Sequence, residues 1–266
     1  MIRDITLGQY YAADSPIHRL DSRVKITGVL LYIADLFIVD DFIGFGLCAA
    51  ALCLYVVLSQ VPVKFIMRGL KPILLILIMT FCLNIFMVDG RILWQWGFLK
   101  VTDEGIYTAV FMAVRLILLI IASSLLTLTT KPIELTDGIE KLMSPLAKIG
   151  VPAHDIAMTM SIALRFIPML LEETDRIMKA QQARGADFES GNILRRAKSP
   201  IPILVPLFVS SFRIAQDLAM AMEARCYRGG KGRTRMKEMR LKGMDFLAFF
   251  LMLAFLAVVI SERVVF

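Results

Sequence analysis

Two stretches of the chain end in an arginine flanked by small residues, MKAQQARGADF and AMAMEARCYRGG. A guanidinium offers a planar fork of donors that matches a carboxylate, and small neighbours let another backbone approach closely. A single such end has a plain structural explanation, because a cation suits the negative end of a helix and glycine suits its left-handed cap. Two such ends, on two long helical runs, favour arginine tips that enter grooves on another protein. The tips are Ala183, Arg184 and Gly185 in the first stretch, and Ala224, Arg225 and Cys226 in the second.

The composition of the chain is typical of an integral membrane protein. Hydrophobic residues make up 58% of its 266 residues and charged residues 20%, and the mean hydropathy is +0.70. A soluble domain averages about 45–50% apolar residues by a broader count, and a bilayer-spanning helix needs about 20 in succession. The N-terminus is polar and contains acidic residues, unlike a cleavable signal peptide.

Five apolar runs predict five transmembrane helices. The first two runs are separated by Asp40 and Asp41, and one continuous helix would hold these carboxylates at mid-bilayer, which is costly. We therefore predict two short helices that turn at this pair, while Asp35 still needs a partner or water. The predicted spans are residues 24–39, 42–58, 72–88, 106–128 and 244–260.

Lysine and arginine near the span ends predict the orientation in the membrane. Lys64, Arg68 and Lys71 lie between the second and third spans, and the N-terminus is also basic, whereas the turn after the first span is acidic. The N-terminus is therefore expected in the cytoplasm and the C-terminus outside. The predicted organisation is a cytoplasmic N-terminal segment (1–23), transmembrane helices 1–4 (24–129), a cytoplasmic coupling-helix region (130–243), and transmembrane helix 5 with the C-terminus (244–266).

The region 130–243 contains two predicted helices that change character along their length. In the first, Ile156–Leu171 is apolar nearly all round, with Asp155 as a possible N-cap. The charged half follows, and its Glu172 and Arg176 have the i,i+4 spacing that stabilises a solvated helix. The second helix repeats this order, apolar at its start and polar at its end. The apolar halves fit a membrane or a membrane partner, and the polar halves predict arms that project about 20 Å into the cytosol.

No catalytic constellation is present in the sequence. The Gly-Lys pair in GGKGR is followed by glycine, so the phosphate-binding pattern G-x-x-x-x-G-K-[ST] is missing. There is no H-E-x-x-H, and His18 and His154 lie far apart, which disfavours an intramembrane zinc hydrolase. We therefore expect a protein that is not an enzyme and that binds no cofactor or metal.

QARG and EARC resemble the paired Ala-Arg-Gly signatures of the transmembrane T component of energy-coupling factor transporters, which take up vitamins and metal ions. The N-terminal GQYYAADSPIHRLDSRVK, the length and the layout resemble that family as well. The resemblance implies an all-α integral membrane protein in a prokaryotic plasma membrane. It also implies a non-enzymatic scaffold, in which two arginine-bearing coupling helices dock on two ABC-type ATPase subunits that hydrolyse ATP. Cys226 stands where the family has glycine; it is less suited to a left-handed cap but still small.

The resemblance further implies that apolar faces of the coupling helices hold a membrane-embedded substrate-binding S component, which is exchangeable in scaffolds with this N-terminal pattern. The residues expected at that interface are Leu164, Ile167, Leu204, Leu207 and Phe208.

The alternative is a self-sufficient secondary transporter or channel, whose spans would carry polar residues along a path. Arg115, Asp35 and Asn84 are candidates for such a path. Arg115 paired with an acid or placed near the membrane interface is the simpler explanation, and five spans without an internal inverted repeat fit a secondary transporter poorly. The sequence identifies neither the transported substrate nor the ATPases.

Overall fold

The computed structural model describes residues 10–96, 99–186, 200–229 and 241–265. Its elements form two compact units, one built from the described residues of the ranges 10–141 and 241–265 and the other from 142–186 and 200–229. The described elements are α1 (Ser22–Ile38), α2 (Phe42–Ser59), α3 (Val63–Leu70), α4 (Leu74–Met87), β1 (Ile92–Trp96), β2 (Leu99–Thr102), α5 (Asp103–Thr129), α6 (Pro132–Met143), α7 (Ala153–Ala183), α8 (Ile201–Ala224) and α9 (Gly243–Val265). An all-α membrane fold is confirmed.

Each of the five predicted spans coincides with a helix: α1, α2, α4, α5 and α9. Six helical stretches of the described chain are long and apolar enough to cross a membrane, namely α2, α3 with α4, α5, α7, α8 and α9. The 17-residue α1 is shorter than these. The most apolar windows of α7 and α8 have mean hydropathies of 1.3 and 1.4, against 2.2–2.5 in the other four stretches. Helices α7 and α8 are therefore less apolar than the other four stretches that are long and apolar enough to cross a membrane.

The turn predicted at Asp40 and Asp41 is confirmed, because α1 ends at Ile38 and α2 begins at Phe42. Asp40 pairs with Arg263 near the end of α9 at 2.9 Å. The corner between α1 and α2 therefore lies at the same end of its unit as the end of α9.

Arg115 of α5 also contacts the corner between α1 and α2. Its Nη2 donates to the Val39 carbonyl at 2.9 Å, and its guanidinium lies 5.0–5.7 Å from the ring centroids of Phe37, Phe45 and Phe111. These distances fit cation–π attraction. Pairing with an acid was one simple explanation for Arg115, but among the described residues the structure gives it a carbonyl and three aromatic rings instead.

The N-terminal segment packs at the opposite end of the same helices. Lys25 is only 2% exposed, and its ammonium donates to the carbonyls of His18 at 3.2 Å and Thr129 at 2.9 Å. His18 Nε2 donates to the Tyr11 carbonyl at 3.0 Å and leaves Nδ1 to accept from the Ser15 hydroxyl at 2.7 Å. Burial lowers the pKa of His18, which favours this neutral form.

A buried carboxylate joins the starts of α1 and α9. Asp245 is 3% exposed, and its two oxygens accept from the backbone N–H of Asp21 at 2.8 Å and of Lys242 at 2.7 Å. The second bond is the reach-back half of a capping box, since Asp245 lies three residues after the N-terminal cap of α9. The buried apolar cluster of this unit lies between these two ends and includes Leu36, Cys48, Leu125 and Val259.

One sequence prediction about local structure is wrong, and one element of the structure was not predicted. The loop after α4 contains an antiparallel hairpin, in which β1 pairs with β2; no strand was predicted there. Helix α7 begins at Ala153, so Asp155 lies in its first turn rather than at its N-cap.

Candidate functional site

The first tip ends α7 with a Schellman motif. Arg184 is the C-cap, and Gly185 adopts a left-handed conformation with φ +88°. The Gly185 N–H donates to the Gln182 carbonyl at 2.9 Å, and the Ala186 N–H donates to the Gln181 carbonyl at 3.0 Å. These are the two backbone bonds that define the motif, and they satisfy carbonyls that a helix end otherwise leaves unpaired.

The second tip ends α8 with the same motif. Arg225 is the C-cap, and Cys226 takes the left-handed position with φ +54°. The Cys226 N–H donates to the Glu223 carbonyl at 2.8 Å, and the Tyr227 N–H donates to the Met222 carbonyl at 3.0 Å. A side chain at such a position costs about 1–2 kcal/mol. The left-handed cap is therefore retained at the second tip without a glycine.

In both tips the cap fixes the backbone and leaves the guanidinium available. Arg184 and Arg225 are exposed, as are Ala183 and Ala224 beside them. Among the residues that the structure describes, neither arginine side chain has an ion pair or a hydrogen bond. Each tip therefore presents a charged fork of donors between small residues.

The two arms extend beyond the region where α7 packs against α8. Ser210 of α8 lies 3.5 Å from a carboxylate oxygen of Glu173 of α7. At 1.5 Å per residue, Arg184 lies about 16 Å further along α7 and Arg225 about 22 Å further along α8. The predicted pairing of Glu172 with Arg176 is wrong, because Arg176 pairs with Glu173 at 3.4 Å. Both spacings place the partners on one helix face.

The apolar half of α8 carries a continuous exposed stripe. Its members repeat at i, i+3, i+4, i+7, i+8 and i+11, which is one face of a helix. Each is 51–67% exposed: Ile201, Leu204, Val205, Phe208, Val209 and Phe212. We call these six residues the α8 stripe. Phe208 and Phe212 also contact each other, with ring centroids 5.4 Å apart.

Two of the five predicted interface residues, Leu204 and Phe208, lie on the α8 stripe. Ile167 of α7 is 37% exposed, and Leu164 is half-buried. Leu207 is also half-buried and lies outside the stripe. The sequence predicted an apolar segment but did not separate its outer face from its packed face, and the interface itself stays a prediction.

Of the three polar residues considered for a path through the spans, two are already engaged. Arg115 has the corner contacts described above, and the Asn84 amide donates to the Thr80 carbonyl of its own helix at 2.9 Å. Asp35 is buried at 1% exposure and lines a cavity to which neither of the other two contributes. These residues do not form one polar path.

Comparison with known proteins decides the family. The family model described as cobalt transport protein (CbiQ) matches residues 13–237, which include both tips and the α8 stripe. The energy-coupling factor transporter transmembrane protein EcfT of Clostridium kluyveri is 58% identical over 266 residues, covering 99% of this chain and 98% of that one. The chain belongs to the family of energy-coupling factor transmembrane components.

Further relatives carry the same name. EcfT of Thermosediminibacter oceani is 55% identical over 248 residues, covering 93% of this chain and 94% of that protein. EcfT of Bacillus subtilis is 46% identical over 246 residues, covering 92% and 93%. As a member of this family whose described part has six helical stretches able to cross a membrane, the chain is a multi-pass cell membrane protein and the membrane component of a transporter.

Proposed function

We propose that this energy-coupling factor component is the non-enzymatic scaffold of an ATP-driven importer for vitamins or other micronutrients. The tips at Arg184 and Arg225 each bind one of two ABC-type ATPase subunits, which are identical or different and hydrolyse the ATP. The α8 stripe binds an exchangeable membrane-embedded S component that carries the substrate. The rigid arms transmit ATPase motion from the tips to that subunit.

The observation that carries this proposal is the repeated cap. Two helices of different sequence end in the same backbone motif, with an arginine at the C-cap and a small residue after it. Neither guanidinium has an acceptor among the described residues, so the N–H donors of both tips are not used by the described part of the chain. Arginine forks of this kind bind carboxylates in grooves, where charge-assisted bonds are strongest.

The α8 stripe supports the docking of a membrane subunit. Six apolar side chains, each at least 51% exposed, form a contiguous apolar patch. Such patches are uncommon on soluble monomers and are typical of surfaces that bind a protein partner or a membrane. Because the stripe and the second tip lie on the same helix, α8 connects the two proposed binding surfaces directly.

The orientation of the chain is part of the proposal. We place the N-terminus and residues 130–243 in the cytoplasm and the C-terminus outside. The Asp40–Arg263 pair supports the relative assignment, because it puts the α1–α2 corner and the end of α9 on one side. The basic residues of α3 support the absolute assignment.

Co-purification from the native membrane tests the assembly. The tagged chain is expected to retain two ATPase subunits and one S component, whereas a self-sufficient secondary transporter would purify alone. Leu204→Asp with Phe208→Asp should release the S component and keep the ATPases. Gln216→Asp, a polar exposed position on α8, is the matched control and should release neither.

Labelling with a membrane-impermeant thiol reagent tests the orientation. In a variant with the native cysteines replaced, a cysteine at Asp89 should react from outside intact cells. A cysteine at Gly191, which lies outside the described residues, should react only after permeabilisation. Reaction of the second position from outside would contradict the placement of both tips.

A further inference from the structure

A cavity of about 410 Å³ lies between α1, α2 and α9. Helix α1 lines it along one face from Lys25 to Asp35, while Leu54 of α2 and Leu251 of α9 lie at its sides. Most of the lining is apolar, and both side residues are about 60% exposed. The cavity therefore opens towards the surroundings of the helices, which in a membrane are lipid.

The cavity contains one carboxylate that the chain leaves unsatisfied. Asp35 is 1% exposed, and its Oδ1 has no hydrogen-bond donor within the described residues. The other polar groups at this site are engaged, since Lys25 donates to two carbonyls and the Tyr32 hydroxyl donates to the Cys48 carbonyl at 3.1 Å. A buried carboxylate without a donor is costly, so a molecule in the cavity that carries a hydrogen-bond donor would be stabilised beside Asp35.

The shape and lining of the cavity favour a single hydrocarbon chain. The lining face of α1 is about 15 Å long for ten residues, and the space beside it is lined mainly by apolar side chains of α1, α2 and α9. One extended hydrocarbon chain that follows α1 would lie along this apolar lining.

The position of Asp35 indicates the chemistry of the polar end of this ligand. Asp35 lies three residues before the end of α1 at Ile38, so it is about 5 Å from the helix end along the axis. A lipid chain that follows α1 would have its headgroup near that end. An ammonium headgroup complements the carboxylate, and a primary ammonium can also donate to it.

We propose that this cavity binds one acyl chain of a membrane phospholipid and that Asp35 accepts a hydrogen bond from the primary ammonium of its phosphatidylethanolamine headgroup. The site belongs to the unit that contains α1, α2 and α9, and it does not depend on the tips or on the α8 stripe. Lipid bound here would fill the space between α2 and α9, which both contact α1.

Native mass spectrometry of the full chain, released from nanodiscs, tests the proposal. The nanodiscs contain equal amounts of phosphatidylethanolamine and phosphatidylcholine with identical acyl chains. Phosphatidylcholine keeps the positive charge but has no N–H donor. The wild-type chain should retain one phosphatidylethanolamine molecule and prefer it to phosphatidylcholine by about tenfold or more. A factor of this size corresponds to the free energy of one charge-assisted hydrogen bond.

Substitutions at two positions test the headgroup contact and the acyl-chain cavity separately. Asp35→Asn should keep one bound lipid and lose most of the headgroup preference. Ala51→Phe, which fills the cavity from α2, should lose the bound lipid, whereas Ala50→Phe on an exposed position of the same helix should retain it. If Ala51→Phe does not fold, Leu54→Trp at the 62%-exposed opening provides the same test.

Equal retention of the two lipids by the wild-type chain would overturn the role of Asp35. Retention of lipid by the folded cavity-filling variant would overturn the site itself. If that variant instead lost a membrane subunit and kept its lipid, the occupant would be a protein segment and the proposal would be wrong.

Discussion

Lys25 in the N-terminal part of α1 and Arg184 at the end of α7 carry the same charge in opposite surroundings. The ammonium of Lys25 is 2% exposed and donates to two backbone carbonyls. The guanidinium of Arg184 is exposed and has no partner among the described residues. The buried cation satisfies carbonyls of its own chain, whereas the exposed one makes no hydrogen bond or ion pair in the described chain, as the proposed docking on an ATPase requires.

Arg115 and Arg225 repeat the contrast. Arg115 contributes a hydrogen bond and three cation–π contacts to the α1–α2 corner. Arg225 occupies a C-cap, and its side chain makes no hydrogen bond or ion pair among the described residues. The partners of a cationic side chain therefore separate a role in the fold from a role in assembly, which residue type alone does not. Removing a buried cation should lower stability, and removing a tip arginine should lower partner binding.

The largest expected effect, on ATPase binding and transport, follows from replacing the arginines of both tips. On the proposed function, Arg184→Ala with Arg225→Ala should nearly abolish ATPase co-purification and transport, because each truncation leaves a buried partner charge unpaired at a cost of about 2–5 kcal/mol. The unfolding free energy of the isolated chain should change by no more than about 1 kcal/mol per site, the value of a charge at a helix end. Arg176→Ala, on the same arm but away from the tip, is the control and should bind normally. Normal transport by the double variant would make both arginines ordinary helix ends.

Lys25→Met should show the opposite pattern. The methionine keeps the apolar stem but leaves the carbonyls of His18 and Thr129 without a donor, which costs about 1–3 kcal/mol each when such groups are buried. We expect a lower unfolding free energy in detergent, with any assembled fraction binding ATPase normally. Lys64→Met on exposed α3 should change stability by less than about 0.5 kcal/mol. A Lys25 variant as stable as the wild type would remove the distinction between buried and exposed cations.

A smaller loss of stability is expected from Asp245→Asn. The amide oxygen can replace one of the two carboxylate acceptors, so one backbone N–H, of Asp21 or of Lys242, loses its partner. Loss of a capping acceptor costs about 0.5–2 kcal/mol. Hydrogen exchange at the starts of α1 and α9 would measure it, and unchanged protection at both starts would contradict the shared role of this carboxylate.

The smallest effect concerns the residue after each arginine. Cys226→Gly should stabilise the end of α8 by about 1 kcal/mol or less. Glycine at φ +54° removes the side-chain cost of about 1–2 kcal/mol, but it loses more conformational entropy on folding, which offsets about 0.5–1 kcal/mol of the gain. Gly185→Cys should lose a similar amount at the end of α7, and both variants should keep transport because the tips remain small. Cys226→Trp should keep the helix but obstruct docking. Full transport by the tryptophan variant would show that the tip does not approach its partner closely.

The local features of the candidate site could be predicted from the sequence. The arginine-tipped helix ends, the turn at Asp40 and Asp41 and the change from apolar to polar along α7 depend on residues within a few positions of one another. Helix caps and apolar run lengths act over that range. The left-handed cap was less evident at Cys226 because residue preference alone favours glycine there.

What the sequence by itself determined is therefore the positions of the apolar helices and of the two arginine-tipped helix ends. The tertiary structure alone decided which polar groups meet, because those partners are distant in the chain: Lys25 and Thr129 are 104 residues apart, and Asp21 and Asp245 are 224 apart. It also decided that Phe208 faces outward while Leu207 is half-buried, since both are apolar and only the packing of α8 distinguishes them. The hydrophobic effect is non-directional, so it does not select one face of an apolar helix. Contacts with neighbouring helices decide which face of α8 remains exposed.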